Sequence, residues 1–123
     1  MPHKTRSKYQ KVESSARIYY ENWRKIGSFS PALNERIYVT RFGWNHILDP
    51  RKRRSKVQKI KRLKALPLAR KILETATTYQ EHRRDKGIDY YAFIAEIGGS
   101  RIKVVVSAKR NKPKIFLSVI VLK

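Results

Sequence analysis

The stretch Tyr90 to Leu122, YYAFIAEIGGSRIKVVVSAKRNKPKIFLSVIVL, decides the fold. It contains three runs rich in β-branched and aromatic residues: Tyr90 to Ile97, Arg101 to Lys109 and Lys114 to Leu122. Gly98-Gly99 and Arg110-Asn111-Lys112-Pro113 separate them. Strand-forming runs punctuated in this way predict an antiparallel meander. A two-residue turn at Gly98-Gly99 puts Ile94 opposite Lys103, and a four-residue loop over 110–113 puts Ser107 opposite Phe116 and Val105 opposite Ser118. Because strand side chains alternate, this register sorts them into two faces. One face runs from Tyr91 and Phe93 through Ile102, Val104 and Val106 to Ile115, Leu117 and Val119. It is apolar apart from the Tyr91 hydroxyl and reads as the core face. The other mixes Tyr90, Ile94, Val105, Phe116 and Ile120 with Arg101, Lys103, Ser107, Lys109 and Ser118, and is where a site is expected.

Upstream the pattern changes period. Val12, Ala16, Tyr19, Trp23 and Ile26 recur at spacings of 4, 3, 4 and 3, which predicts an amphipathic helix from Ser7 to Lys25 ended by Gly27. Residues 28–34, with Pro31 among them, read as a loop, and Arg36 to Thr40 as a short strand. Phe42 to Leu48 (FGWNHIL) reads as a short helix stopped before Pro50, Ser55 to Ala65 as a basic helix, and Pro67 as the first turn of a third helix through Leu73. Thr77 to Arg83 reads as a further strand from its β-prone Thr77, Thr78 and Tyr79. With no internal repeat and no Gly/Ser or Pro-rich linker, the expectation is one α+β domain over 1–123: N-terminal helices packed on one face of a C-terminal antiparallel meander of four to five strands, with residues 1–6 as a flexible tail.

Composition narrows the function. The 123 residues carry 30 Lys+Arg against 9 Asp+Glu, a formal net charge of +21, yet 41% are hydrophobic and 11% aromatic, enough to build a core rather than a disordered polycation. Absence of Cys excludes a disulfide framework, a thiolate zinc site and a Cys nucleophile, and suits a reducing compartment such as the cytoplasm. No apolar segment is long enough for a membrane span or placed as a signal peptide. A charge this large predicts an anionic partner, with nucleic acid ahead of lipid. The charge is uneven: residues 1–73 carry +16 and residues 74–123 carry +5, and Arg51 to Lys64 (RKRRSKVQKIKRLK) holds nine basic residues and no acid. Arg51, Lys52, Arg53, Arg54, Lys56, Lys59, Lys61 and Arg62 are therefore the expected phosphate contacts, joined by Ser107 and Lys109 from the sheet. A solvated helix face or a lipid-facing helix would use the same run.

The histidines His3, His46 and His82 lack metal-ligand spacing, and the carboxylates are scattered, so no metal site and no cofactor are expected. What remains is the kit for metal-free RNA cleavage, in which a general base takes the 2′-hydroxyl proton and cations with hydroxyl donors stabilise the phosphate. His46, on an aromatic cluster at the edge of the basic run, is the candidate base or acid. A capping or buried hydrogen-bonding histidine is the plainer reading of the same residue. Ser118 is singled out as the sole polar residue within IFLSVIVL.

The order of segments adds a resemblance. A leading helix, a short strand running into Gly43-Trp44-Asn45-His46-Ile47, a basic helix, a Pro-started helix and a β-meander whose last strand carries Ser118 together resemble the barnase, EndoU, colicin and RelE group of ribonucleases. The nearest likeness is to its phage-type and contact-dependent toxin members. The resemblance implies metal-independent cleavage of tRNA or another structured RNA to a 2′,3′-cyclic phosphate. It also implies catalytic roles for His46 and Ser118, Lys103 and Arg101 facing the phosphate, and an acidic immunity or antitoxin protein as partner.

Overall fold

The computed structural model describes residues 7–52 and 54–122; the expected tail 1–6, with His3, and the expected phosphate contact Arg53 lie outside the described residues. Helix α1 (Lys8–Ile26) begins at Ser7, whose hydroxyl accepts from the Gln10 amide while the Gln10 side chain accepts from the Ser7 amide. It ends at Gly27, which takes a positive φ of 69°. A Cβ at Gly27 would lie 2.9 Å from the Ile37 carbonyl oxygen, so a larger residue is excluded by backbone as well as by conformation. Ala16, Tyr20 and Trp23 are its buried residues. The buried stripe follows the expected one through Ala16 and Trp23, with Val12 and Tyr19 partly buried against the core. Tyr20 rather than Tyr19 is the fully buried residue at its centre, however, and Ile26, expected on the stripe, is exposed.

Two short strands follow. The expected loop after Gly27 instead opens with strand β1 (Ser28–Ser30), which pairs with β2 (Glu35–Tyr38). Small polar residues form a strand here because their side chains are bonded inward. Trp23 Nε1 donates to Ser28 Oγ at 2.8 Å, Ser28 Oγ donates to Glu74 Oε2 at 2.8 Å, and the Leu33 amide donates to Ser30 Oγ at 3.2 Å. Buried hydroxyls satisfied in this way carry little desolvation cost, but nothing in the local sequence announces partners so distant in the chain.

Helices α2 (Arg41–Leu48), α3 (Lys56–Lys64) and α4 (Leu66–Thr75) come next. Thr40 caps α2 through the Phe42 amide, and Ser55 with Gln58 forms a reciprocal capping box on α3. Strand β3 (Glu81–Asp85) starts later than the Thr77 to Arg83 expectation, because Tyr79 turns back to pack edge-on against Tyr91 at 4.9 Å. Strands β4 (Ile88–Ile97), β5 (Ser100–Lys109) and β6 (Lys114–Val121) form the meander. The complete sheet has six strands in the order β1-β2-β6-β5-β4-β3, antiparallel except for β2 beside β6. The chain is therefore α+β, with the N-terminal strands added to the far edge of the meander.

The register of the last hairpin differs from expectation where it matters most. Ile94 does lie opposite Lys103, across a turn in which Gly98 and Gly99 both have positive φ, and Val105 does lie opposite Ser118. Ser107, however, lies opposite Ile115, and Phe116 opposite Val106, with a bulge between these pairs and Val105↔Ser118. One extra residue, Leu117, is accommodated on β6. The bulge turns Phe116 to the core face, where its ring lies 5.0 Å from Trp23 and 6.2 Å from Tyr20, and turns Ile115 and Leu117 to the open face. These three assignments are the reverse of the expected ones. The largest side chain of the strand takes the core position, and the backbone absorbs the one-residue error. Around Phe116 the core gathers Tyr20, Trp23, Ile37, Ile47, Leu66, Leu73, Phe93, Val104 and Val119, all essentially inaccessible to solvent.

Candidate nucleic-acid interface

Strand β2 pairs with β6 only at Ile37↔Lys114 and Tyr38↔Ile115. Beyond that point the chain leaves the sheet through Thr40, and α2 and α3 take its place along β6. Two close approaches fix α2 there: the Tyr20 hydroxyl donates to the Thr40 carbonyl, and Gly43 sits where a Cβ would be 2.6 Å from Tyr20 Oη and 2.7 Å from the Phe116 carbonyl oxygen. The segment from Tyr38 to His46 thereby crosses the edge of the sheet and forms one wall of a cavity of about 530 Å³ on its open face. Ser107 and Leu117 are on its floor, Tyr90 and Ile88 on the far wall, and Lys109 and Lys112 at its mouth; among the described residues no carboxylate lines it.

At the C-terminal end of α2, Arg54 Nη1 donates to the carbonyls of His46 at 2.9 Å and Ile47 at 3.2 Å. A cation on these helix-end carbonyls closes the helix and holds the backbone that carries His46. One turn into α3 and beyond, Arg62 Nη1 donates to Ser118 Oγ at 3.2 Å. Arg62 is half-buried and its guanidinium pKa is brought down to about 10, by burial first and then by the neighbouring positive Arg54. The same neighbourhood holds His46 below its usual imidazole value. Burial is the largest cause, Arg54, Lys52 and Arg62 add to it, and Asp49 opposes it more weakly. His46 is thus a neutral imidazole near pH 7, half-exposed between the cavity and the Asp49–Lys52 surface.

The expected site residues divide into two groups. His46, Ser107 and Lys109 line the cavity, and Ser118, opposite Val105 two residues along β5 from Ser107, is joined to Arg62 beside Arg54; Ser107 and Ser118 are nearly inaccessible. Lys103 lies two residues along β5 from Val105, the partner of Ser118, about 7 Å at the usual strand rise, but its ammonium is turned away from β6 to Glu81 Oε1 at 2.8 Å. Arg101 is opposite Glu96 beside the Gly98-Gly99 turn, at the far end. In the basic run, Arg51 is bound bidentately by Asp49, at 3.1 Å through each nitrogen. Lys52, Lys56 and Lys61 are exposed and Lys59 half-exposed, with the Lys56 ammonium 6.0 Å from the Tyr9 ring. His82 pairs with Asp89 at 2.8 Å on the opposite side of the sheet from Tyr90.

Sequence reasoning missed Tyr38, Thr40 and Phe42 as walls of the cavity and Arg62 as the partner of Ser118. Arg62 is one of nine similar cations in its run, and only the docking of α3 against β6 distinguishes it. Among the described residues no group of three or more His, Asp or Glu side chains is placed to hold a metal ion, and no helix is long and apolar enough to cross a membrane. Compared with family models, curated proteins and solved structures, the chain matches none.

Proposed function

We propose that this protein is a small metal-independent ribonuclease of toxin type that acts on tRNA or another structured RNA in the cytoplasm. The observation that carries the reading is the Arg62–Ser118 pair. Arg62 is a half-buried guanidinium that donates to a neutral hydroxyl, and its nearest charged influence is another cation, Arg54. Like charges brought together away from water are costly unless an anion joins them, and a phosphodiester supplies that anion with oxygens suited to a guanidinium fork.

In this reading, His46, kept neutral by its surroundings, takes the proton of the ribose 2′-hydroxyl. The freed oxygen attacks the adjacent phosphorus, Arg62, held in place by the Ser118 hydroxyl, stabilises the added negative charge, and the bond to the 5′-oxygen breaks. Water protonates that leaving oxygen, and the products are a 2′,3′-cyclic phosphate and a 5′-hydroxyl. Lys52, Lys56, Lys59 and Lys61 hold the flanking backbone, and an acidic immunity or antitoxin protein is the partner that would cover such a surface in the producing cell. A second reading, a protein that binds nucleic acid without cleaving it, is favoured by one observation: His82, the other described histidine, is paired with Asp89 away from this face, leaving His46 without a second imidazole among the described residues.

Incubation of the protein with total tRNA in EDTA, followed by a denaturing gel and end-group analysis, separates the two. Cyclic-phosphate fragments that vanish with His46→Ala support cleavage at this site. Retarded but intact RNA establishes the binding reading instead, and fragments undiminished by His46→Ala remove this histidine from the reaction.

A further inference from the structure

One row of side chains crosses the open face of five strands: Arg83, Tyr90, Ser107, Ile115 and Tyr38 stand in register on β3, β4, β5, β6 and β2. Both ends of the row repeat one device. The Arg83 guanidinium lies 4.5 Å from the centre of the Tyr90 ring, and the Arg36 guanidinium lies 5.4 Å from that of Tyr38. Tyr38 is 46% exposed and Phe42, beside it on the same wall, 57%, although aromatic rings of this size ordinarily seek the core. Three strand spacings, about 14 Å, separate Tyr90 from Tyr38, and the cavity lies between them.

From this arrangement we infer that the open sheet face is a base-stacking platform for single-stranded RNA. Unpaired bases would lie against Tyr90 and Tyr38, with Arg83 and Arg36 backing the rings and Lys109 and Lys112 meeting the sugar-phosphate at the mouth. The charge pattern selects this occupant. The floor is apolar enough to receive a flat aromatic group, the described lining has cations and no carboxylate, and a weak pair between Arg83 and Asp85 at 3.6 Å leaves that guanidinium available. Exposed sheet aromatics reading splayed bases are an established physical solution for unpaired RNA. The inference rests on the phosphate-binding reading of Arg62 but adds a separate role, since the tyrosines recognise bases whereas Arg62 recognises the backbone.

Two probes distinguish these roles, a single-stranded RNA hexamer and a hexamer of the same charge made of abasic ribose phosphates. Binding is measured by fluorescence anisotropy with EDTA present and the 2′-hydroxyls methylated to prevent cleavage. The intact hexamer is expected to bind about 10- to 100-fold more tightly than the abasic one. Tyr90→Leu and Tyr38→Leu should each remove about half of that difference on a logarithmic scale while leaving the abasic probe unaffected, and Tyr90→Phe should restore its share. Arg62→Gln should weaken both probes alike. Equal binding of the two probes to the native protein, or tyrosine variants that bind the intact hexamer normally, overturns the platform even if Arg62→Gln still weakens both. An Arg62→Gln protein that binds both probes normally overturns the phosphate reading instead. Sedimentation of the free protein as a dimer that Tyr38→Glu dissociates would identify the face as a contact between two copies and likewise overturn the inference.

Discussion

Arg62 donates to the hydroxyl of Ser118 at 3.2 Å across 56 residues of chain, joining the most basic helix to the last strand of the sheet. Single-turnover cleavage of RNA in EDTA should fall by about 10²- to 10³-fold in Arg62→Ala, the usual loss when one donor to a developing oxyanion is removed. Arg62→Lys should recover part of it, since an ammonium keeps the charge but lacks the fork. Ser118→Ala should cost less, because it removes the hydroxyl that accepts from the guanidinium and leaves the cation itself. Normal rates in both alanine variants would exclude the pair from the reaction.

The pH profile follows from the surroundings of His46. Burial and three nearby cations favour the neutral imidazole, so its pKa lies below 6.5. A base must be neutral to accept a proton; kcat/KM should therefore rise with pH through a value below 6.5 and then level off. Removing a positive neighbour restores the protonated form, so Arg62→Gln and Arg54→Gln, and added salt, should move that acid limb upward. Linkage has the same sign. The unfolded chain holds more protons than the folded one between the depressed value and 6.5, so this group's contribution to stability is complete above 6.5 and is lost as pH falls through that window. An acid limb above 6.5 in the native protein would contradict the assignment.

The bulge on β6 makes a prediction opposite to that of the regular hairpin. Phe116→Ala should destabilise the protein by about 3–5 kcal/mol, as for a ring removed from a filled core. Ile115→Ala, on the half-buried open face, should cost about 1 kcal/mol. Urea denaturation of the two variants decides the register, and reversed values would restore the regular pairing.

Gly43 has no room for a methyl group: its Cβ would meet the Tyr20 hydroxyl oxygen at 2.6 Å and the Phe116 carbonyl oxygen at 2.7 Å. Gly43→Ala should cost about 1–3 kcal/mol by overpacking. Because α2 must shift to relieve it, RNA cleavage should fall at temperatures where the variant is still folded by circular dichroism.

The cations of α3 should act through counterion release rather than geometry. Lys59→Gln and Lys61→Gln should each reduce the slope of log K against log salt by about 0.7 for single-stranded RNA, without changing which sequence is preferred. Slopes unchanged in both variants would place the backbone elsewhere on the surface.

Particular residues show how far the sequence could be read. The three C-terminal runs became β4, β5 and β6 within two residues of their expected ends, because β-branched and aromatic content and the separators Gly98-Gly99 and 110–113 act locally. The basic helix began where Ser55 and Gln58 form a capping box, another local signal. Strand β1 was not legible, since Ser28 and Ser30 are held by Trp23, Glu74 and the Leu33 amide rather than by any β-propensity of their own. The exchange of Phe116 with Ile115 and Leu117 was not legible either. Alternation allows both registers of a run in which nearly every residue is apolar, and only the space beside Trp23 selects one.

The sequence by itself determined an α+β chain with a meander, a strongly cationic helical half and a sheet face that mixes charge with apolar groups, because composition, period and turn chemistry are properties of neighbouring residues. Tertiary structure decided which cation meets which partner. Of the two cations grouped with Ser118 by face, Lys103 stands two residues from Ser118's partner Val105 but turns its ammonium to Glu81, and Arg101 lies opposite Glu96 at the far end of β5. Arg62, indistinguishable within its run, is delivered to Ser118 by the packing of α3 against β6. The period of a strand fixes a side chain's face but not its place along that face, and the choice among similar charges depends on burial and on the neighbours that other parts of the chain supply.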